Sequence, residues 1–486
     1  MTLGILAAAA AAAAAIAIGG AAWWLARATL DRTARRAVLR FRSRVDRFKL
    51  TKKRAIIASL LADPAIAEAV GAHAREHQVR EDDAWKRVRR YLDEIIPFFN
   101  IIAYYRLGYV ASRALLNFFY KVSVDSERPN PFRGLPRDSV IIYLMNHRSN
   151  ADYVLVAYAL AGDVSISYAV GEWARAFPLE HIFKSFGSYF IRRRYREPLY
   201  HVVLERYVQL ITRNGVTQGI FPEGGLTRDG RLGAAKIGLL DYALGTARDP
   251  ALRSRMYVMP VAINYDRVLE DRSLLRELAS REGRERPSRA VQFGEVMRYA
   301  GWNFGRILTG RWRRYGRAAV MVGEPVSVAS WIARLEGDGV RLFELERPER
   351  LAQVQRFCDE AMTRIGALIP VTPVALACAA MQTFSSDFVG RAQLLARMQE
   401  LRDVLPEVNA RFLDPGRDVG EIFDRAYRML RMRKVVARQG GGYLVLPRGR
   451  PLISYYANGV AHLLGALGAG IRERDALPVL AAMGDW

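Results

Sequence analysis

Cysteine is scarce in this chain of 486 residues: only Cys358 and Cys378 are present. Each lies in or near an apolar helical stretch without companion ligands. That argues against a disulfide framework and a zinc site, and reads as two core thiols in a reducing compartment. Histidine is nearly as scarce, with His73, His77, His147, His181, His201 and His462. His73 and His77 are one helical turn apart with no carboxylate triad, so they read as a surface pair and no metal site is expected. Acid is short as well: 49 Asp and Glu face 73 Lys and Arg, a net charge of +24. Such a surplus implies an acidic partner, whether nucleic acid, anionic lipid or a phosphorylated substrate. Lysine occurs only at 49, 52, 53, 86, 121, 184, 236 and 434. Arginine preference is therefore part of the pattern, but it does not explain the excess over acids. Zinc-finger and helix-turn-helix signatures are missing, so no nucleic-acid partner is expected. Internal repeats are missing too. Apolar residues are not short: at 51% hydrophobic, the chain is not disordered, and its length suits two or three domains.

The segments differ sharply. Thr2 to Ala26 carry no charge and end in Trp23 and Trp24. A bilayer needs ~20 apolar residues, and Trp favours its interface. Arg27, Arg32, Arg35, Arg36, Arg40, Arg42, Arg44, Arg47 and Lys49 follow. Residues 1–27 therefore read as a membrane anchor. The expected location is the inner membrane, single-pass or peripheral, with the bulk of the chain facing the cytoplasm. Residues 28–128 read as a helical, membrane-associated region. Its long pattern from Ala84 to Tyr120 mixes arginines with aromatics, and fits either packing on the next domain or lying on a lipid surface.

Pro129 to Pro136 marks a boundary. Over 129–330, short apolar runs alternate with helical patterns. Strands are expected at Ser139–Met145, Val164–Val170, Ser188–Arg192, Thr217–Phe221, Met256–Ile263, Val291–Val296 and Ala318–Val322. This is an α/β pattern with a mainly parallel sheet. Residues 331–486 read as mostly helical, with a short strand at Tyr443–Pro447 and a partly buried helix at Tyr455–Gly468.

Chemistry concentrates at strand ends. The apolar run from Val140 to Met145 stops at Asn146, and His147 and Asp152 follow five positions apart. On a regular helix that spacing points two side chains well apart. They meet only if the chain turns between them, as a strand-to-helix loop does. A carboxylate on one imidazole nitrogen then leaves the other as a base. Downstream, FGSYFIRRR carries Arg192, Arg193 and Arg194 at a strand end, and guanidinium forks suit phosphate. The stretch IFPEGGLTRDGR places Glu223, Gly224 and Gly225 after a strand, with Arg228 and Arg231 beyond and Lys236 next. Glycines there let backbone approach a ligand. A further apolar strand, YVMPVAINY, is broken by Pro260 and reads as a wall.

Together and in this order, NHRSNAD, GSYFIRR, FPEGG and VMPVAIN resemble the four blocks of the glycerophospholipid acyltransferase superfamily. VGEPVSV looks like its domain-closing strand. VTPVALACAA and LISYYANGVAHLL are similar to the C-terminal region of the glycerol-3-phosphate and dihydroxyacetone-phosphate acyltransferase branch. The resemblance runs over roughly residues 85–465 (flanked by the anchor) and departs at Leu226, where that branch usually has Arg. It implies acyl transfer from an acyl-CoA or acyl carrier protein thioester to glycerol 3-phosphate. Dihydroxyacetone phosphate and lysophosphatidate are the alternative acceptors, and a catalytically silent membrane scaffold is the alternative of another kind. It further implies His147 as general base and Asp152 as its orienting partner. Acceptor binding falls to Arg192, Arg193, Glu223, Gly224, Gly225, Arg228 and Lys236. No cofactor or metal is implied. A backbone N–H at the start of the helix from Ala151 is the expected oxyanion donor, and anionic lipid the expected surface.

Overall fold

The structure is a computed structural model. It describes residues 47–99, 109–136, 138–160, 165–171, 175, 179–192, 195–281, 309 and 314–465. The expected anchor, Arg193, Arg194 and the expected strand Val291–Val296 lie outside these.

A mixed sheet organises the molecule. Its strands are β1 (Lys121–Ser126), β2 (Val140–Met145), β3 (Ser167–Val170), β4 (Tyr189–Phe190), β5 (Gln218–Ile220), β6 (Met256–Tyr265), β7 (Arg317–Val322) and β8 (Val326–Ser327). The order is β1-β7-β6-β2-β5-β3-β4, with β8 also on β6. The run from β6 to β4 is parallel, while β7 lies antiparallel to β6 and carries β1 parallel to itself. Strands β2 and β6 are almost wholly buried, which explains their unbroken apolar runs.

Period-two alternation splits the core in two. Ile141, Tyr143 and Met145 of β2 face one side with Met259, Val261, Ile263 and Tyr265 of β6. Val140, Ile142 and Leu144 face the other with Met256, Val258 and Ala262. The second side is covered by α1 (Lys53–Leu61), α2 (Pro64–His77), α3 (Glu81–Ile95), α7 (Pro198–Arg213), α8 (Gly238–Leu244), α11 (Val328–Gly337) and α12 (Arg347–Leu368). The first side takes α4 (Tyr109–Phe119), α5 (Asp152–Leu160), α13 (Pro373–Gln382), α14 (Arg391–Val404), α15 (Val419–Met432) and α16 (Arg450–Ala457). Helices α6 (Leu179–Ser185), α9 (Pro250–Arg253) and α10 (Asp271–Arg281) lie in connections. Helix α13 is apolar all round and buried throughout, so it is a core helix.

Four expectations change. The sheet begins at Lys121 rather than after 129, because KVSVDS alternates and pairs residue for residue with β7. The helix that carries Ala84 ends at Ile95, ahead of Pro97, and a separate described helix spans Tyr109–Phe119. The C-terminal region carries a small antiparallel sheet of β9 (Phe388–Gly390), β10 (Val436–Gln439) and β11 (Gly442–Val445). His73 is buried, its ring stacked on His77 and 3.7 Å from Glu197. Among the described residues no single helix is long and apolar enough to cross a membrane. Helices α1 and α2 pass by length and composition only as a pair bent by 63°.

Candidate active site

The site is assembled at the carboxyl ends of β2, β5 and β6. Asn146 closes β2 by imitating a strand residue: its amide donates to the Ile263 carbonyl at 2.9 Å and accepts from the Ile263 N–H at 2.7 Å. The chain then turns, and α5 starts at Asp152. The turn brings Asp152 Oδ2 to 2.9 Å from His147 Nδ1. The same oxygen accepts the N–H groups of Arg148 at 2.7 Å and Ser149 at 3.0 Å. Asp152 Oδ1 accepts the Tyr265 hydroxyl at 2.6 Å. His147 is 1% exposed and Asp152 0%. The imidazole stacks on Phe221 with ring centroids 4.1 Å apart and meets the Tyr153 ring edge-on. With Nδ1 committed to the carboxylate, Nε2 is the nitrogen placed to take a proton.

Glu223 joins this turn to the loop after β5. One carboxylate oxygen accepts the His147 N–H at 2.7 Å and the other the Gly233 N–H at 2.8 Å. Thr227 N–H adds a bond to the His147 carbonyl at 3.1 Å. Burial pushes the Glu223 carboxyl up to about 7, against the pull of those two amides and of Arg148. Glu223 therefore holds backbone, where substrate contact was expected. Gly224 sits at φ +68°, and Lys236 lies alongside it: a Cβ there would stand 3.0 Å from Lys236 Cδ. Gly225 follows in the same loop. Arg228 is in this loop too, with its guanidinium 2.8 Å from Glu277 on α10.

Arg192 is elsewhere. It follows β4, three strands from β2, or about 14 Å at ~4.8 Å per strand. Its guanidinium grips both oxygens of Glu94 at 2.9 and 2.7 Å and lies 4.7 Å over the Tyr195 ring. A second arginine, Arg175, reaches the same carboxylate. The structure thus gathers His147, Asp152, Glu223, Gly224, Gly225, Arg228 and Lys236, and leaves Arg192 in a separate ion-pair cluster. The expected oxyanion donor also changes. Amides at the start of α5 are taken: Arg148 and Ser149 by Asp152, Asn150 by Glu270 at 3.1 Å and Ala151 by the Ser149 hydroxyl at 3.1 Å.

Three contributors escaped sequence reasoning. Tyr265 ends the strand read only as a wall. Glu270, five residues on, accepts the Ser149 hydroxyl at 2.6 Å. Burial raises its carboxyl above the ordinary range, with the Asp152 charge adding to the rise. Arg148 is 3% exposed and bonds the Gly230 carbonyl and Asn264 Oδ1. Among the described residues no group of three or more His, Cys, Asp or Glu is placed to hold a metal.

Two family models match this chain: one described as the glycerol-3-phosphate acyltransferase C-terminal region over residues 302–467, the other as acyltransferase over 132–264. A glycerol-3-phosphate acyltransferase of Xylella fastidiosa strain M23 is 26% identical over 446 residues, 90% of this chain and 50% of that one. One of Aeromonas hydrophila is 28% identical over 438 residues, 88% of this chain and 52% of its own. The chain is similar to glycerol-3-phosphate acyltransferases over most of its length. It spans about half the length of the curated relatives it matches. A solved 1-acyl-sn-glycerophosphate acyltransferase from Thermotoga maritima aligns over 64% of this chain and 92% of its own, at 17% identity and a TM-score of 0.30. That likeness is too slight to carry an argument.

The two matched regions meet at the site. The loop after β5 is held from the C-terminal side. Asn458 donates to the Asp229 carbonyl at 2.9 Å. The Arg148 guanidinium lies 5.9 Å over the Tyr455 ring. Gly230, at φ +89°, packs so closely on Tyr455 that a Cβ would lie 1.9 Å from its carbonyl oxygen. Only glycine fits there.

Proposed function

We propose that this chain is a glycerol-3-phosphate O-acyltransferase. It moves a fatty acyl group from an acyl-CoA or acyl carrier protein thioester to the sn-1 hydroxyl, giving lysophosphatidate. The buried His147–Asp152 pair at the strand ends carries this reading, because a buried imidazole set against a carboxylate is a general base with a fixed tautomer. His147 Nε2 takes the hydroxyl proton as the oxygen attacks the thioester carbonyl carbon. The resulting imidazolium is stabilised by Asp152. Collapse of the tetrahedral intermediate breaks the C–S bond, and the imidazolium returns the proton to the leaving thiolate. No acyl-enzyme is required and no cofactor takes part. Lys236, Arg228 and the glycine turn at Gly224 and Gly225 serve the acceptor's phosphate, with Arg228 exchanging Glu277 for it.

The experiment is thiol release from palmitoyl-CoA, with acyl carrier protein thioester as second donor. It offers glycerol 3-phosphate, dihydroxyacetone phosphate or lysophosphatidate. Turnover with glycerol 3-phosphate and not with the lysolipid is expected. Turnover with the lysolipid alone moves the protein to the next acylation and makes Leu226 the residue to examine. Absence of turnover with every pair favours the scaffold.

The same reading places the chain on an anionic bilayer, at the inner membrane with this site on the cytoplasmic side. The net charge of +24 supports it, since each basic residue near such a surface contributes about 1 kcal/mol. Helix α4 supports it too, because Val110, Leu115 and Phe118 are exposed there. Deleting residues 1–27 is expected to weaken membrane retention, and undiminished retention would assign attachment to α4 and its neighbours instead.

A further inference from the structure

We propose that Tyr265 is a positioning residue for the transfer step, holding Asp152 so that the carboxylate both orients His147 and is kept from binding its proton too tightly. This rests on His147 being the base. Asp152 is fully buried, and its two oxygens are used unequally. Oδ2 takes three N–H donors, from His147, Arg148 and Ser149. Oδ1 takes the Tyr265 hydroxyl, at 2.6 Å, the length of a charge-assisted bond.

Tyr265 is built not to move. It is the last residue of β6 and pairs with Ala318 of β7. Its own N–H rests on Asn264 Oδ1 at 2.9 Å. Its ring packs 5.3 Å from Tyr120 and the residue is 1% exposed. Burial, and then the Asp152 charge, raise the phenol well above its ordinary range, so it stays a donor across the working pH.

A hydrogen bond to an ionised carboxylate draws negative charge toward the donor. Tyr265 thereby tempers how strongly Asp152 stabilises the His147 imidazolium, while pinning the plane of the carboxylate. Other polar groups facing the pair are Arg148, Glu223 from the loop after β5, Glu270 from the loop after β6, and Tyr153 of α5. None of them is altered by Tyr265→Phe, which keeps the ring and deletes one oxygen.

The test compares wild type and Tyr265→Phe by the pH profile of kcat and by nitrogen-15 NMR titration of the imidazoles, with His147→Gln assigning the resonance. Plateau kcat is expected to fall about tenfold, as for loss of a buried hydrogen bond to a charged group, with KM for glycerol 3-phosphate changed less than about twofold. The acidic limb and the His147 midpoint are expected to move together to higher pH, by about half a unit. A stronger donor of the same shape, 3-fluorotyrosine at 265, moves both the opposite way and serves if the Phe variant does not fold. Lower activity with limb and midpoint unmoved would reduce Tyr265 to packing and overturn the proposal, as would unchanged behaviour throughout. If the wild type transfers no acyl group, the functional reading fails, while the NMR midpoints still judge Tyr265.

Discussion

Two clusters beside the central sheet collect charged side chains with different bonds, one around His147 and one between α7, α8 and α12. At the carboxyl ends, Asp152, Glu223 and Glu270 accept from backbone amides, hydroxyls and one imidazole. Where α7 and α8 meet α12, the acids meet guanidiniums. Asp241 takes both Nη atoms of Arg350, and Arg206 binds Asp63 at 2.7 Å. There a cavity of about 530 Å³ is lined by Glu205, Arg206, Arg213, Asp241, Arg248 and Arg350 among others. The difference is instructive. An ion pair neutralises its carboxylate and holds helices together. Glu223, fed by amides alone and pushed up to about 7 by burial, titrates within reach of working pH. The cavity lies among the ion pairs, while the His147–Asp152 pair sits where the acids are held by amides.

That contrast can be broken in either cluster. Glu223→Gln has the larger expected effect. Glutamine offers one oxygen and one NH2 where two backbone N–H groups now point at oxygens, so either the His147 or the Gly233 amide loses its acceptor. A base displaced on this scale is expected to cost up to about a hundredfold in kcat. The variant also changes stability with pH. The folded-state value of Glu223 is raised, so its contribution is fully present below the ordinary carboxyl value of 4.5 and is lost as pH rises through about 7. Wild type should therefore lose about 3 kcal/mol relative to Glu223→Gln across that window, in denaturant unfolding at both pH limits. A gap that does not vary with pH would refute the assignment. In the other cluster, Asp241→Asn leaves Arg350 half-paired in a partly buried place. A loss of about 2 kcal/mol is expected there, with turnover within about twofold of wild type. A large loss of turnover at constant stability would tie that cluster to the chemistry.

Much of this was legible before the fold. Strands β2 and β6 announced themselves because buried parallel strands need unbroken apolar runs. The His147–Asp152 turn followed from the impossibility of their meeting on a helix. What stayed hidden depended on partners distant in sequence. Nothing in RRR says that Arg192 is spent on Glu94, about a hundred residues earlier. Nothing in FPEGG says that both oxygens of Glu223 turn back to amides. Tyr265 read as wall because its hydroxyl finds Asp152 only when β6 lies beside β2. Strand β1 escaped notice because its polar alternation follows a helical stretch with no turn signal between Phe119 and Lys121.

The central claim is that His147 and Asp152 carry acyl transfer to glycerol 3-phosphate. Its most direct test is thiol release from palmitoyl-CoA with that acceptor, for wild type beside His147→Ala of equal thermal stability. The account predicts turnover by the wild type and a fall of roughly 10²–10⁴-fold in the variant, the span of general-base catalysis. Equal turnover by the two proteins would contradict it.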